Sequence, residues 1–155
     1  QEATASLRRM ALAGQMLSQF SGPTLEGGFI SSDDFAGKPT LIFFWDSESE
    51  EFTKDLLPVL EKITTESSSS QLRILGVALD EDEATLNAYL ETHKVPGQQI
   101  FFTQLEQRSW NSPLVRFWGI AQNPTIWLVD AQGKVISTSL KSAELIPAIQ
   151  DVLKQ

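Results

Sequence analysis

The sequence predicts an α/β sandwich built on a mixed sheet whose parallel part is buried on both faces. Three observations point there. Thr40–Trp45 and Leu72–Leu79 are short, continuous apolar stretches bounded by turn-forming or acidic residues, the pattern of strands covered on both sides. Between them Phe52, Leu56, Leu57, Val59, Leu60 and Ile63 recur at helical spacing. Further on, Thr125–Val129, a turn over Asp130–Gly133 and Lys134–Ser139 spell an antiparallel hairpin. At 155 residues the chain has the length of one domain and can bury a core without metals or disulfides.

Taken in order, residues 1–19 are polar and Ala-rich with scattered apolar positions (Leu7, Met10, Leu12, Leu17) and read as a short helix or a linker ahead of a domain over 20–155. Gly22-Pro23, Gly27-Gly28 and Ser31–Asp34 punctuate the next stretch, which suits a turn or hairpin followed by a loop. The first buried strand, Thr40–Trp45, leads through an acidic loop into a helix over 50–65. Ser67–Ser70 is a flexible connector and the one low-complexity stretch. After the strand Leu72–Leu79, a helix is expected over about 82–93, with Leu86, Tyr89 and Leu90 inward. Ile100–Phe102 is a short strand. Ser112-Pro113 reads as an N-cap and first helical position of a helix that Gly119 ends. The last helix spans about 143–154, with Pro147 making its first turn irregular. The order β-α-β-α-β-β-α closes one sandwich.

Composition narrows the function. Twelve basic against 20 acidic residues leave a net charge of −8, a field that repels phosphate backbones and anionic membranes, so nucleic-acid binding is not expected. The longest apolar run, Leu41–Trp45, is far shorter than the roughly 20 residues that span a bilayer, so this segment is not expected to insert directly in a membrane. With no cysteine there is no disulfide, thiolate nucleophile or Cys-ligated metal, and a single histidine makes a His-rich metal site or a Ser-His-Asp triad hard to build. Neither a Gly-x-Ser-x-Gly elbow nor a Gly-rich phosphate loop occurs. No Asp-x-Asp-x-Asp-Gly calcium loop occurs either, and the expectation is of no metal and no cofactor. The chain opens on Gln1, which reads as a processed product or an excised domain.

Three segments, in order and at matching spacing, make a family resemblance specific. Gly37-Lys38-Pro39-Thr40 through Phe44-Trp45 resembles the GKPxxxxFW strand that precedes the active site of TlpA/ResA-like thiol-disulfide oxidoreductases. Trp110–Leu114 through Phe117-Trp118-Gly119-Ile120 is similar to the helix and turn before that family's cis-proline. Asn123-Pro124-Thr125 through Val129-Asp130, followed by Gly133-Lys134-Val135, resembles its PTxxLIDxxGKI strand-turn-strand. The likeness covers about residues 24–154. It implies membership of the AhpC/TSA-redoxin superfamily and a thioredoxin-like three-layer sandwich, with a mixed central sheet flanked by helices.

The departure from the family is as informative as the match. An ungapped comparison sets Ser49 and Phe52 where the family carries its two cysteines, in the stretch Trp45-Asp-Ser-Glu-Ser49-Glu-Glu-Phe52. Pro58–Lys62 matches best with a one-residue shift, so the register of this loop stays open by one; no register supplies a cysteine. Dithiol exchange starts from a thiolate. The expected catalytic residues are therefore none, and the chain is expected not to be an enzyme of that reaction. The carboxylates of Glu48, Glu50 and Glu51 around Ser49 would raise its hydroxyl pKa further.

What remains is a framework for binding. The acids Asp46, Glu48, Glu50 and Glu51 suit a helix N-terminus, with Ser47-x-x-Glu50 as a capping box; the sharper reading is a site for a basic partner or a cation. Asp80–Glu83 follow the next parallel strand and should lie on the same sheet edge. By resemblance, the residue before the cis-proline, Asn123 ahead of Pro124, presents backbone groups to an extended peptide. Trp45 and Trp127 are expected in the core, whereas Trp110 or Trp118 could line a groove. His93 sits at a helix C-terminus as a dipole partner. The expected partner-binding residues are Asp46, Glu48, Trp118, Asn123 and Pro124. The leading reading is a redox-inactive, Cys-less module that binds a protein or peptide partner near the proline loop. Its alternatives are a non-catalytic accessory domain of a thiol oxidoreductase whose cysteines lie elsewhere, and a purely structural domain. The resemblance places the chain in the periplasm or outside the cell, with anchoring through a missing N-terminal segment.

Overall fold

The computed structural model describes residues 21–25, 27–31, 37–65, 72–80, 82–95, 97–101, 125–137 and 140–153. A two-stranded hairpin, β1 (Ser21–Pro23) and β2 (Phe29–Ser31), precedes a five-stranded sheet of β3 (Thr40–Trp45), β4 (Arg73–Ala78), β5 (Gln98–Ile100), β6 (Thr125–Val129) and β7 (Val135–Ser137). The sheet order is β5-β4-β3-β6-β7. The strand β3 pairs parallel with β4 and antiparallel with β6, so the sheet is mixed as the element order predicts. The helices are α1 (Leu57–Thr65), α2 (Glu83–Thr92) and α3 (Leu145–Leu153). The N-terminal segment 1–19, the Ser67–Ser70 connector, the helix expected after Ser112 and the proline loop at 123–124 lie outside the described residues.

β3 and β6 coincide with the stretches read from sequence, and the reason is burial. All six residues of β3 are buried: Leu41, Phe43 and Trp45 join the cluster shared with the helices, while Ile42 and Phe44 point into the opposite cluster. A strand covered on both faces reads as a near-continuous apolar run, here Leu41–Trp45 after Thr40, and this makes its bounds visible. The first cluster takes in Leu56, Leu57, Leu60 and Ile63 beside α1, Leu86 of α2, and Leu145, Ile149 and Val152 of α3. The second gathers Leu75, Val77, Ile100, Trp127, Val129 and Val135 of the sheet with Ile30 of β2. Trp45 and Trp127 are both wholly buried, as expected.

Three local features refine the reading from sequence. The hairpin β1–β2 forms and is tied to the sheet's edge, with Leu25 N–H donating to Gln99 O at 2.9 Å and Phe101 N–H to Pro23 O at 3.0 Å. The turn after β6 closes through the Asp130 side chain, whose Oδ1 accepts from Gln132 N at 3.0 Å and Lys134 N at 2.9 Å, with Gly133 at φ +86°. The helix expected over 143–154 opens with a 3₁₀ turn at Ser142–Glu144 before α3; Pro147, third in α3, lacks the N–H that a regular first turn would use.

The helix expected over 50–65 forms, but its first part is wider. Phe52–Leu56 makes a π-helical turn, closed by Leu57 N–H on Phe52 O, before α1 begins. Pro58 supplies the cause: without an N–H, and with its ring against the preceding turn, it disfavours tight α-winding there. A π turn holds one residue more than an α turn. That is the size of the offset between Ser49 and Pro58 in the motif comparison.

Inside the sheet one polar contact crosses three strands. Trp45 Nε1 donates to Gln99 Oε1 at 2.8 Å, and both side chains are buried. The Gln99 side chain passes over β4 at Gly76, its register partner; a Cβ there would lie 2.7 Å from Gln99 Cδ. Gly76→Ala is expected to displace Gln99 and strand the indole N–H, costing about 1–3 kcal/mol. Urea unfolding checks this: a Gly76→Ala variant as stable as the parent would contradict the account. In Gln99→Ala the same alanine at 76 should cost clearly less.

Candidate functional site

The parallel pairing of β3 with β4 brings the chain segments leaving both strands to one sheet edge. Trp45 is the register partner of Ala78, and Leu79 N–H donates to Trp45 O at 2.7 Å. Residues 46–49 and Asp80 therefore meet, as the strand order predicts for the two acidic segments. Asp80 is only 6% exposed. Its carboxylate accepts from Ser47 N at 3.0 Å and also from the Ser47 hydroxyl. Asp46 Oδ1 accepts from Glu48 N at 3.0 Å, bending the loop back on itself. Ser49 Oγ accepts from Phe52 N at 3.2 Å while Ser49 O takes Thr53 N–H at 3.3 Å, so Ser49 caps the helix.

The expected capping box is corrected by these contacts. Ser47 does not cap: a buried carboxylate needs donors more than an exposed helix end does, and Asp80 takes both of Ser47's. Glu50 turns outward to Lys54 at 3.6 Å, and both side chains are largely exposed.

Phe52, which the ungapped motif comparison sets against a family cysteine, is wholly buried. Its ring stacks on Trp45, with centroids 4.5 Å apart and planes at 20°, and on Phe43 at 5.9 Å. Trp45 in turn meets Tyr89 of α2 at 5.6 Å, and Tyr89 stacks on His93 at 4.1 Å. The Tyr89 hydroxyl shares a 2.8 Å hydrogen bond with Thr53 Oγ1, linking α2 to the π turn. Burial pushes the phenol's pKa up. His93 sits just past the end of α2, as expected, with Nδ1 near Thr92 Oγ1 at 2.9 Å and Tyr89 O at 3.3 Å. The contacts of His93 are with Thr92 and Tyr89 rather than with Ser49.

Burial also raises the Asp80 pKa; the Ser47 hydrogen bonds oppose this, and the charges of Asp46 and Glu48 add to it. Among the described residues no group of three His, Asp or Glu is placed to hold a metal.

Of the residues expected to meet a partner, Asp46 and Glu48 stand in this loop, Asp46 half-buried and Glu48 exposed. Trp118, Asn123 and Pro124 lie outside the described residues. Sequence reasoning missed the Ser47–Asp80, Thr53–Tyr89 and Trp45–Gln99 pairs. One signal was available: a glycine inside an apolar strand, at Gly76, marks a place where another group comes close.

With this geometry the comparisons with known proteins fall into place. Residues 13–138 match the AhpC/TSA family. The chain belongs to that family. It is 21% identical over 142 residues to the thiol-disulfide oxidoreductase ResA of Bacillus thuringiensis subsp. konkukian, covering 92% of this chain and 77% of that protein. Among solved structures it resembles the thioredoxin domain of a thiol-disulfide oxidoreductase from Bacteroides vulgatus, at 25% identity and TM-score 0.77, covering 90% of this chain and 96% of the other. It also resembles a thiol:disulfide interchange protein from Bacteroides sp., at 24% identity and TM-score 0.76, covering 92% and 91%. The fold is thioredoxin-like, and within it this AhpC/TSA chain carries no cysteine.

Two outcomes are expected. Phe52→Ala removes a fully buried ring and should cost about 3–5 kcal/mol, whereas Ser49→Ala removes only a cap and should cost about 1 kcal/mol; urea unfolding would contradict the assignment if the order were reversed. For Asp80 the sign follows from its raised pKa. The folded state holds the proton more tightly than the unfolded one, so this residue's contribution falls as pH rises from the usual carboxylate range through the raised value. Asp80→Asn should therefore be more stable than the parent at neutral pH, with the advantage vanishing in strong acid. Thermal unfolding across pH checks it, and an advantage that grows on acidification would contradict it.

Proposed function

We propose that this domain is a redox-inactive member of its family that engages a protein or peptide partner at the sheet edge where relatives carry their thiols. The observation that supports the reading best is Phe52: the position matched to the second cysteine is filled by a ring locked between Trp45 and Phe43. The position matched to the first is a serine whose oxygen is spent as a helix cap. A serine hydroxyl ionises far above neutrality, and thiol-disulfide exchange and thiol-peroxidase chemistry both begin at a thiolate. The domain is thus no oxidoreductase, while the scaffold that presents the loop is retained.

The partner side of the reading rests on the loop's charge. Glu48 stands exposed at the rim, beside Asp46 and ahead of Glu50 and Glu51, and suits an extended basic segment. By likeness to the family, Trp118, Asn123 and Pro124 complete the surface, and the domain works outside the cytoplasm.

The test has two arms. In the insulin-reduction assay with dithiothreitol, the domain should match the no-protein control; turnover above that control would overturn the redox reading. Installing cysteines through Ser49→Cys and Phe52→Cys should restore at most marginal activity, because the second substitution opens a cavity under Trp45. For binding, a lysine-containing extended peptide titrated into isotope-labelled protein should shift the amide signals of residues 46–49, and less so at high salt. Shifts elsewhere only, or none, would overturn the binding reading.

A further inference from the structure

Trp45 carries two of the contacts on which the sheet edge is built, and an indole is a ring that gives up one electron readily. It is wholly buried, stacks on Phe52 with centroids 4.5 Å apart, and donates its N–H to Gln99 Oε1 at 2.8 Å. Oxidation that goes on to open the indole ring would end both contacts. Burial keeps a bulky reagent out but does not stop an electron, which crosses short stretches of packed protein without contact. Trp45 is the last residue of β3, and the next residue, Asp46, is already half-buried.

Two rings touch the indole. Phe52 is a benzene ring, which an indole radical cation does not oxidise. Tyr89 of α2, at 5.6 Å between centroids, is a phenol, which it does. Tyr89 is the chain's single tyrosine, and the chain has no cysteine whose thiol would take up oxidising equivalents instead. The Tyr89 hydroxyl shares its 2.8 Å hydrogen bond with Thr53 Oγ1, and both residues are half-buried. The two rings therefore lead from the core to the surface. Their protons are placed in the same sense. Trp45 Nε1–H faces an amide oxygen, an acceptor but not a base, so the oxidised indole keeps its proton and remains a strong oxidant. A phenol that loses an electron gives up its proton as well, and the partial exposure of Tyr89 and Thr53 lets solvent take it.

We propose that Tyr89 is the electron donor that restores an oxidised Trp45, so that one-electron oxidation of the core ends on the phenol of α2. An outer-sphere one-electron oxidant takes one electron from the indole and is itself reduced by one. Tyr89 passes one electron to the indole radical cation and releases the phenol proton to solvent, leaving a neutral indole and a neutral phenoxyl radical. A small reductant of the ascorbate class returns one electron to the phenoxyl, and solvent returns one proton. This is chemistry of rings without a thiol. It goes beyond the reading above, which denies thiol exchange only, and it holds whether or not the loop meets a partner.

Photogenerated tris(bipyridine)ruthenium(III), a cationic outer-sphere oxidant that the acidic rim attracts, tests it on the intact domain. Oxidation at each aromatic residue is read by peptide mass spectrometry. At equal dose Trp45 should be oxidised several-fold more in Tyr89→Phe than in the parent, because the ring stays and the donor is lost. Trp127, which belongs to the opposite core cluster, should be oxidised equally in both. Equal oxidation of Trp45 in the two proteins would overturn the proposal, as would a rise shared by Trp127, which marks a loosened core. Should Tyr89→Phe fail to fold, a pulse of azidyl radical on the parent decides. The indole-radical absorbance should then decay in step with growth of the phenoxyl absorbance, at a rate independent of protein concentration, and Trp45→Phe should lose that phase. Indole decay without phenoxyl growth, or a phase that survives in Trp45→Phe, would overturn it.

Discussion

The ring of Phe52 against that of Trp45, 4.5 Å apart and nearly parallel, couples the last residue of the central strand to the first turn of the helix that follows it. Everything at the sheet edge is arranged around this contact. Trp45 needs a partner for its indole N–H, which brings in Gln99, and Gln99 needs a path across β4, which requires Gly76. The outer edge of the indole is covered by Tyr89, which is held by Thr53 one residue beyond Phe52. A large aromatic pair at this point makes the helix entrance part of the core.

Such an arrangement changes what the helix N-terminus does. Its unpaired N–H groups and positive dipole end can favour a thiolate or be satisfied by a cap. Here the cap is Ser49 Oγ, and the nearby acids lie on the solvent side or are folded into the loop. The electrostatic setting that elsewhere activates a thiol is thereby consumed in holding the chain in place. The loop is left with two separable jobs: Ser49 and Phe52 secure the helix, while Asp46, Ser47 and Glu48 form an acidic rim tied down by Asp80.

How much of this was readable from sequence depended on the range of the interaction involved. β3 and β6 were read to the residue, because burial on both faces leaves an apolar run, opened in each case by one threonine, between Pro39 and Asp46 and between Pro124 and Asp130. The meeting of the 46–49 loop with Asp80 followed from two parallel strands ending at one edge. The hydrogen bonds themselves did not follow, because Ser47 had two eligible roles, cap or partner of Asp80. Only the depth of Asp80 decides between them. The widening at Phe52–Leu56 was hidden for a similar reason: the apolar spacing suits an α-helix, and the interruption comes from Pro58 acting backwards on the turn before it. The Trp45–Gln99 contact spans 54 residues and lies beyond any local pattern, save for Gly76 in mid-strand.

The central claim is that Trp45 and Phe52 act as one unit at the entrance of the helix that follows β3. A double-mutant cycle of Trp45→Phe and Phe52→Leu, read by urea unfolding, measures that directly. The account predicts a coupling of about 0.5–1.5 kcal/mol, the range of a stacked aromatic pair. Strictly additive losses would show that the two rings are merely neighbours and would contradict it.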